Sequence, residues 1–190
     1  MYAFRPHWKI RFLLSQKVLS QGRKITVAAG LTSQGLTDLL IIPEDQNITS
    51  EVYQNFILPY YLSKPKRLYP DRWNSLKVQE DWATAHNSKS SKKSVVENWV
   101  GGVVCEKGNG EFFGHGNSPD LNPIENIRKE LKDSILPQER PSNKEKFKEL
   151  VLPQWEVLRA SDIPKKLVQS FPNLVSAILT NNRQNKKYWN

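Results

Sequence analysis

The chain has 190 residues, a formal net charge of +9, 38% hydrophobic residues and 25% charged ones. That length suits one domain with a real core and is too short for two large ones. No apolar run reaches the roughly 18 residues that a membrane-spanning helix needs. From Met1 to Leu14 basic residues alternate with apolar ones, which is unlike the uninterrupted apolar centre of a secretory signal. A lone cysteine, Cys105, excludes an internal disulfide framework and a cysteine-rich zinc site. The expected location is intracellular and not secreted.

The charge is concentrated at the two ends. Arg5, Lys9, Arg11, Lys17, Arg23 and Lys24 precede the first acid, Asp38. Near the other end Arg183, Lys186 and Lys187 sit beside Tyr188 and Trp189. Cations mixed with aromatics suit a polyanion such as nucleic acid. The same pattern also fits solvated termini kept basic for solubility.

In chain order, residues 1–23 form a basic segment with no assigned element. Lys24 to Gly30 (KITVAAG) is short and β-branched and reads as a strand. Gln34-Gly35 makes a turn, and Thr37 to Ile42 (TDLLII) reads as the returning strand of a hairpin. Thr49 caps a helix to about Leu62, with Val52, Phe56 and Tyr60 on one face. Pro65 and Pro70 then interrupt the chain. Ser75 to Asp81 (SLKVQED) alternates and reads as a strand. Ser90 to Val100 is a helix closed by Gly101-Gly102, and a glycine-rich loop follows. Asn122 to Leu136 is a helix with an apolar stripe of Ile124, Ile127, Leu131 and Ile135. Ser142 and Glu145 form a capping box for the next helix, whose stripe is Phe147, Leu150, Val151 and Trp155. A last helix from about Pro164 to Leu179 presents Leu167, Val168, Leu174, Val175 and Ile178 and is expected to kink at Pro172. The order defines an α/β fold with a small mixed sheet flanked by helices.

Two acids stand where chemistry gathers. Asp81 closes a strand within QEDWATAH, beyond the carboxyl end where α/β folds place functional groups. Glu125 lies in the first turn of a helix. Asn122 in the cap position, Pro123 first and Glu125 third make an asparagine version of the capping box. On that reading Glu125 only satisfies backbone donors and the helix dipole. As a pair, the two acids suit divalent-ion chemistry at a phosphodiester, where carboxylates from separate elements converge on Mg²⁺ or Mn²⁺.

Three blocks in order carry a resemblance. QEDWATAH (79–86), SPDLNPIEN (118–126) and LVQSFPNLVSAIL followed by KKYW (167–179 and 186–189) resemble the catalytic domain of Tc1/mariner-type transposases. ITVAAGLTSQG (25–35) and EVYQNFILPYYL (51–62) are similar to its second strand and first core helix. The similarity covers residues 24–190, and SPDLNPIEN is its most specific part. It implies an RNase H-like fold and a DDE-type enzyme of DNA transposition that cleaves and transfers strands with Mg²⁺ or Mn²⁺. Asp81 and Glu125 are then the catalytic, metal-holding acids, with His86, Asp120 and Asn122 supporting the site. DNA is the implied partner, self-association is implied by the family's dimers, and the implied location is nuclear or intracellular.

The departures matter as much. The family's first catalytic Asp lies on the strand before the ITVAAG strand, and no acid precedes Asp38. Asp38, Glu44, Asp45 and Glu80 do not match the lost position. No counterpart of the family's N-terminal DNA-recognition module is recognisable in the sequence. The chain therefore reads as an N-terminally truncated RNase H-like core over 24–190. It is expected to lack the usual first strand and to be catalytically impaired, with DNA binding alone, or no selected function, as the alternative. The apolar stretch in PHWKIRFLL is the candidate to pair along the sheet edge thus exposed.

Overall fold

The computed structural model describes residues 10–20, 23–43, 47–71, 77–79, 83–98, 122–135 and 141–180. Five strands form one sheet: β1 (Ile10–Ser20), β2 (Arg23–Thr32), β3 (Gly35–Leu36), β4 (Leu40–Ile42) and β5 (Lys77–Gln79). The order is β3-β2-β1-β5, with β4 also on β2. β1 runs antiparallel to β2, from Phe12↔Leu31 to Ser20↔Arg23, and parallel to β5, from Ile10↔Lys77 to Phe12↔Gln79.

β1 corrects the expected fold. The sheet does not begin at Lys24 with a strand missing before it. Ile10–Ser20 is an eleven-residue strand between β2 and β5. The apolar stretch in PHWKIRFLL, the candidate for that edge, does enter the strand, and despite the charged Arg11 and Lys17 the backbone pairs with β2 from Phe12 to Ser20. Residues 1–23 are therefore not one uniform segment, because most of them belong to the sheet.

β2 shows why the sheet carries helices on both sides. Ile25, Val27, Ala29 and Leu31 are buried on one face, with residues of α5 (Pro123–Ile135), α6 (Lys144–Ala160) and α7 (Ile163–Thr180). Ala28 is buried on the other. There it meets Ile42 and the helices α1 (Ser50–Val52), a π-helical stretch Tyr53–Ile57, α2 (Leu58–Leu68), α3 (Thr84–Asn87) and α4 (Lys89–Asn98). The period of two along β2 thus divides the core into two layers.

The chain returning along β2 is two short strands instead of one. Between the pairs Leu31↔Leu36 and Ala28↔Leu40, β2 supplies Ala29 and Gly30, while the returning chain supplies Thr37, Asp38 and Leu39. The extra residue makes a β-bulge. Thr37 keeps Gly30 satisfied across it. Its N–H donates to the Gly30 carbonyl at 2.9 Å, and its hydroxyl oxygen accepts from the Gly30 N–H at 2.8 Å. The turn before it occupies Ser33 and Gln34, and Gly35 has φ +121°, a backbone region that favours glycine. Nothing lies within 4 Å of where a Cβ would stand on Gly35, so the backbone angle is its constraint.

The helices follow the predicted stripes with instructive shifts. Thr49 caps α1 as expected, its hydroxyl accepting from the Val52 N–H at 3.2 Å. The buried face is Tyr53, Ile57 and Tyr61, however, and the expected Phe56 is 40% exposed. Both sets are spaced by four, so periodicity cannot choose between them, and the π-helical stretch sets the facing. The helix also continues through Pro65 to Leu68. Buried Tyr61 and Tyr69 bracket that turn, and the Tyr69 hydroxyl lies 3.0 Å from Ser33 Oγ. Tertiary packing offsets the proline's lost backbone bond.

α4 occupies Lys89–Asn98, and residues 99 and 100, in the expected last turn, lie outside the described residues. α5 buries all four predicted residues. α6 is capped by Asn143, one residue after the expected Ser142; the Asn143 Oδ1 accepts from the Lys146 N–H at 2.8 Å. α7 runs through Pro172 as one helix and buries Phe171 beside Leu174 and Val175. No described helix is long and apolar enough to cross a membrane.

Candidate functional site

The motif NPIEN opens α5, which lies against β1 and β2. Pro123 is its first residue and is buried, as are Ile124 and Ile127, so the apolar stripe clamps the start of the helix onto the sheet. Glu125 is the acid of the first turn. Its side chain is 20% exposed, and Arg128 Nη1 lies 3.3 Å from Oε2. A carboxylate there is favoured by the helix dipole.

Asn122 departs from the expected capping box. The Glu125 N–H donates to the Asn122 backbone carbonyl at 2.9 Å. The Asn122 Oδ1, which a capping box would use, is buried and takes no hydrogen bond. The helix start is closed by backbone, and a buried amide oxygen is left with its acceptor capacity unspent. Such an atom costs about 1–3 kcal/mol unless something donates to it.

His86 lies in α3 and is 3% exposed. Its ring packs on Tyr53 with centroids 4.6 Å apart and planes at 54°, which ties α3 to the π-helical stretch. Asp81 and Asp120 lie outside the described residues, as do Glu44, Asp45 and Glu80. Among the predicted DNA-contacting cations, Arg5, Lys9, Arg183, Lys186 and Lys187 also lie outside them. Arg11 and Lys17 stand within β1, at positions paired with Val78 and Thr26, and Arg23 and Lys24 begin β2. These four are strand residues and not parts of a tail.

Sequence reasoning missed the cluster around Asp38. This extra residue of the bulge holds Lys64 Nζ of α2 on Oδ2 at 2.5 Å and Arg159 Nη1 of α6 on Oδ1 at 2.5 Å. One carboxylate so joins the helices of both layers. Lys64 also lies over the Tyr60 ring, 4.6 Å from its centroid. The Asp38 hydrogen bond, with smaller help from Tyr60, raises the Lys64 ammonium above its ordinary 10.5 against the effect of burial. One turn before Arg159, fully buried Trp155 donates its Nε1–H to the Thr37 carbonyl at 3.0 Å. An acid held by two cations is committed to architecture. The only signal in sequence was the lone acid within TDLLII.

A metal centre needs several oxygen donors at one place. Among the described residues no group of three or more His, Cys, Asp and Glu could hold an ion. β1 (IRFLLSQKVLS), β2 (RKITVAAGLT) and β5 (KVQ) carry no acid at all. Of the two predicted acids, Glu125 stands in the first turn of α5 and Asp81 lies outside the described residues. Among the described residues, then, the donors for a two-ion site are not brought together.

The fold is that of the catalytic domain of a mariner transposase. The crystal structure of the Mos1 mariner transposase catalytic domain matches with a TM-score of 0.72 at 14% identity, over 94% of this chain and 84% of that one. The Mos1 catalytic domain with raltegravir and Mn matches with a TM-score of 0.73 at 14% identity, over 94% and 84%. The Mos1 paired end complex with Mn matches with a TM-score of 0.72 at 12% identity, over 94% of this chain and 56% of that one. The chain thus spans little more than half the length of the transposase in that complex. No protein-family model matches the chain, and no curated protein is similar enough in sequence to count as a relative.

Proposed function

We propose that this chain is a mariner-type DDE transposase core that holds DNA and does not cut it by itself. The observation that carries the reading is a conjunction. SPDLNPIEN ends in the first turns of α5 on a transposase fold, while the sheet's central strand has no acid to complete the set with Asp81 and Glu125. In the intact chemistry a divalent pair activates the attacking oxygen and stabilises the leaving one. Without a third carboxylate that contribution of several kcal/mol is lost, and with it orders of magnitude in rate.

DNA is the partner on this reading, because the net charge of +9 supplies the attraction to phosphate and the Mos1 structures include paired end complexes. The place of action is then the nucleus, and self-association follows the family pattern. Neither Mg²⁺ nor Mn²⁺ is required for holding DNA. The test is a binding titration on duplex DNA at rising salt, paired with a cleavage assay in Mn²⁺ for the wild type and Asp81→Ala. The expected result is affinity that falls steeply with salt and no cleavage in either protein. A flat salt response contradicts the DNA-holding part, and cleavage abolished by Asp81→Ala contradicts the inactive part.

A further inference from the structure

We infer that the outer face of α4 is a duplex-binding surface, on which Lys89, Lys92 and Lys93 hold the phosphate backbone of DNA. The inference deepens the transposase-core reading and rests on it, because that reading supplies the partner. At about 100° per residue, Lys89, Lys92, Lys93 and Val96 fall within an arc of about 100° on one side of the helix. Ser91 and Val95, on the opposite side, are buried. Lys89 and Lys93 are exposed and Lys92 is half-buried. Lys89 and Lys93 stand one turn apart, with a rise of about 6 Å between them.

The fold uses the other side of α4. The Ser91 hydroxyl donates to the Ala85 carbonyl at 2.6 Å and accepts from Gln54 Nε2 at 3.2 Å. Gln54 Nε2 also donates to Ser90 Oγ at 2.9 Å, and the Ser91 N–H donates to Ser88 Oγ at 3.0 Å. These bonds fasten the helix to α3 and to the π-helical stretch. The lysines do little of that work. Lys93 lies 3.7 Å from Glu97, with side chains 76% and 58% exposed, and such a pair is worth under about 1 kcal/mol. Lys89 and Lys92 pair with no acid among the described residues. α4 carries three lysines against one glutamate, whereas α5, in the other layer, carries three cations against three acids. The positive field of α4 is therefore left for a partner.

The chemistry of the face selects that partner. α4 has no aromatic residue on which the bases of a single strand could stack. A helix lying on a membrane needs a broad apolar face beneath its cations, but Val95 is spent on the core and Val96 alone is exposed. Lysines act as point charges that neutralise phosphates without reading bases. The surface thus holds a duplex whatever its sequence, and it lies apart from the cations at the chain ends.

The test titrates a fluorescent DNA duplex with the full chain at rising KCl. One variant carries Lys89→Gln, Lys92→Gln and Lys93→Gln together. A control carries Lys129→Gln, Lys132→Gln and Lys146→Gln, which removes the same charge from exposed lysines of the other layer. The α4 variant should flatten the slope of log affinity against log salt by about two to three, and weaken binding about 10–100-fold at low salt. The control should keep the wild-type slope. Equal flattening by both variants overturns the proposal, because net charge alone then explains binding. Steep binding by the wild type with no flattening by the α4 variant overturns the surface and leaves the transposase-core reading standing. A wild type that shows no salt-dependent binding ends both. Lysine-dependent binding of duplex RNA but not of DNA overturns the choice of partner. Should the triple variant lose its helical circular dichroism, Lys89→Gln with Lys93→Gln should still flatten the slope by about two, and no flattening overturns the proposal as well.

Discussion

Asp38 and Glu125 are both acids beside the sheet, and the molecule treats them differently. Asp38 sits on a bulge, with one oxygen on Lys64 and the other on Arg159, and so pins a helix of each layer to the same strand edge. Glu125 sits in the first turn of α5 with Arg128 at 3.3 Å, next to an Asn122 whose side-chain oxygen takes no hydrogen bond. The first acid is consumed by architecture. The second stands on a helix start whose polar groups are not fully used by the fold. Removing a group the fold uses should cost stability, and removing one it does not use should cost little.

The largest expected effect lies on the Asp38 side. Trp155→Ala removes a fully buried indole and strands the Thr37 carbonyl, and should cost about 3–5 kcal/mol in denaturant unfolding. Next is Asp38→Asn, which leaves Lys64 and Arg159 without their shared anion. Since these side chains remain partly exposed, the expected cost is about 1 kcal/mol. Glu125→Gln should cost about 0.3–1 kcal/mol, the scale of a helix-dipole interaction. If it costs more than Asp38→Asn, the contrast between the two acids is broken.

The two asparagine caps sharpen the comparison. Asn143 makes its side-chain bond to the Lys146 N–H, so Asn143→Ala should cost about 1 kcal/mol. Asn122→Ala should cost nothing and gain up to about 1 kcal/mol, because it removes a buried oxygen that bonds to nothing. Equal losses would mean that Asn122 caps its helix after all.

The smallest effect is in pH. The folded Lys64 pKa is raised above 10.5, chiefly by its Asp38 hydrogen bond. A raised pKa stabilises the fold fully below the unfolded value and is lost as pH rises through the folded one. The stability difference between the wild type and Lys64→Met should thus hold from neutral pH to about 10 and shrink above it. A difference that grows at alkaline pH would contradict the Asp38–Lys64 bond.

What the sequence disclosed follows from these same forces. α5, α6 and α7 were legible because Ile124, Ile127, Phe147, Trp155 and Leu174 repeat at helical spacing and are buried where expected. SPDLNPIEN was legible because it is a near-unique string. β1 was legible in part: IRFLL, the candidate to pair along the sheet edge, does begin the strand, while the polar run from Ser15 to Lys17 hid the continuation to Ser20. The bulge at Asp38 was not, because one inserted residue leaves no trace in composition. The facing of Tyr53 and Ile57 was not, because a π-helical turn shifts a stripe without changing its spacing.

Glu125 stands at the start of α5 beside a sheet whose strands β1, β2 and β5 carry no acid, and the proposed loss of cleavage turns on that pairing. Incubating labelled duplex DNA with Mn²⁺ and either the wild type or Glu125→Gln tests it most directly. Both proteins should bind the duplex and neither should cleave a strand. Cleavage by the wild type that disappears with Glu125→Gln would contradict it.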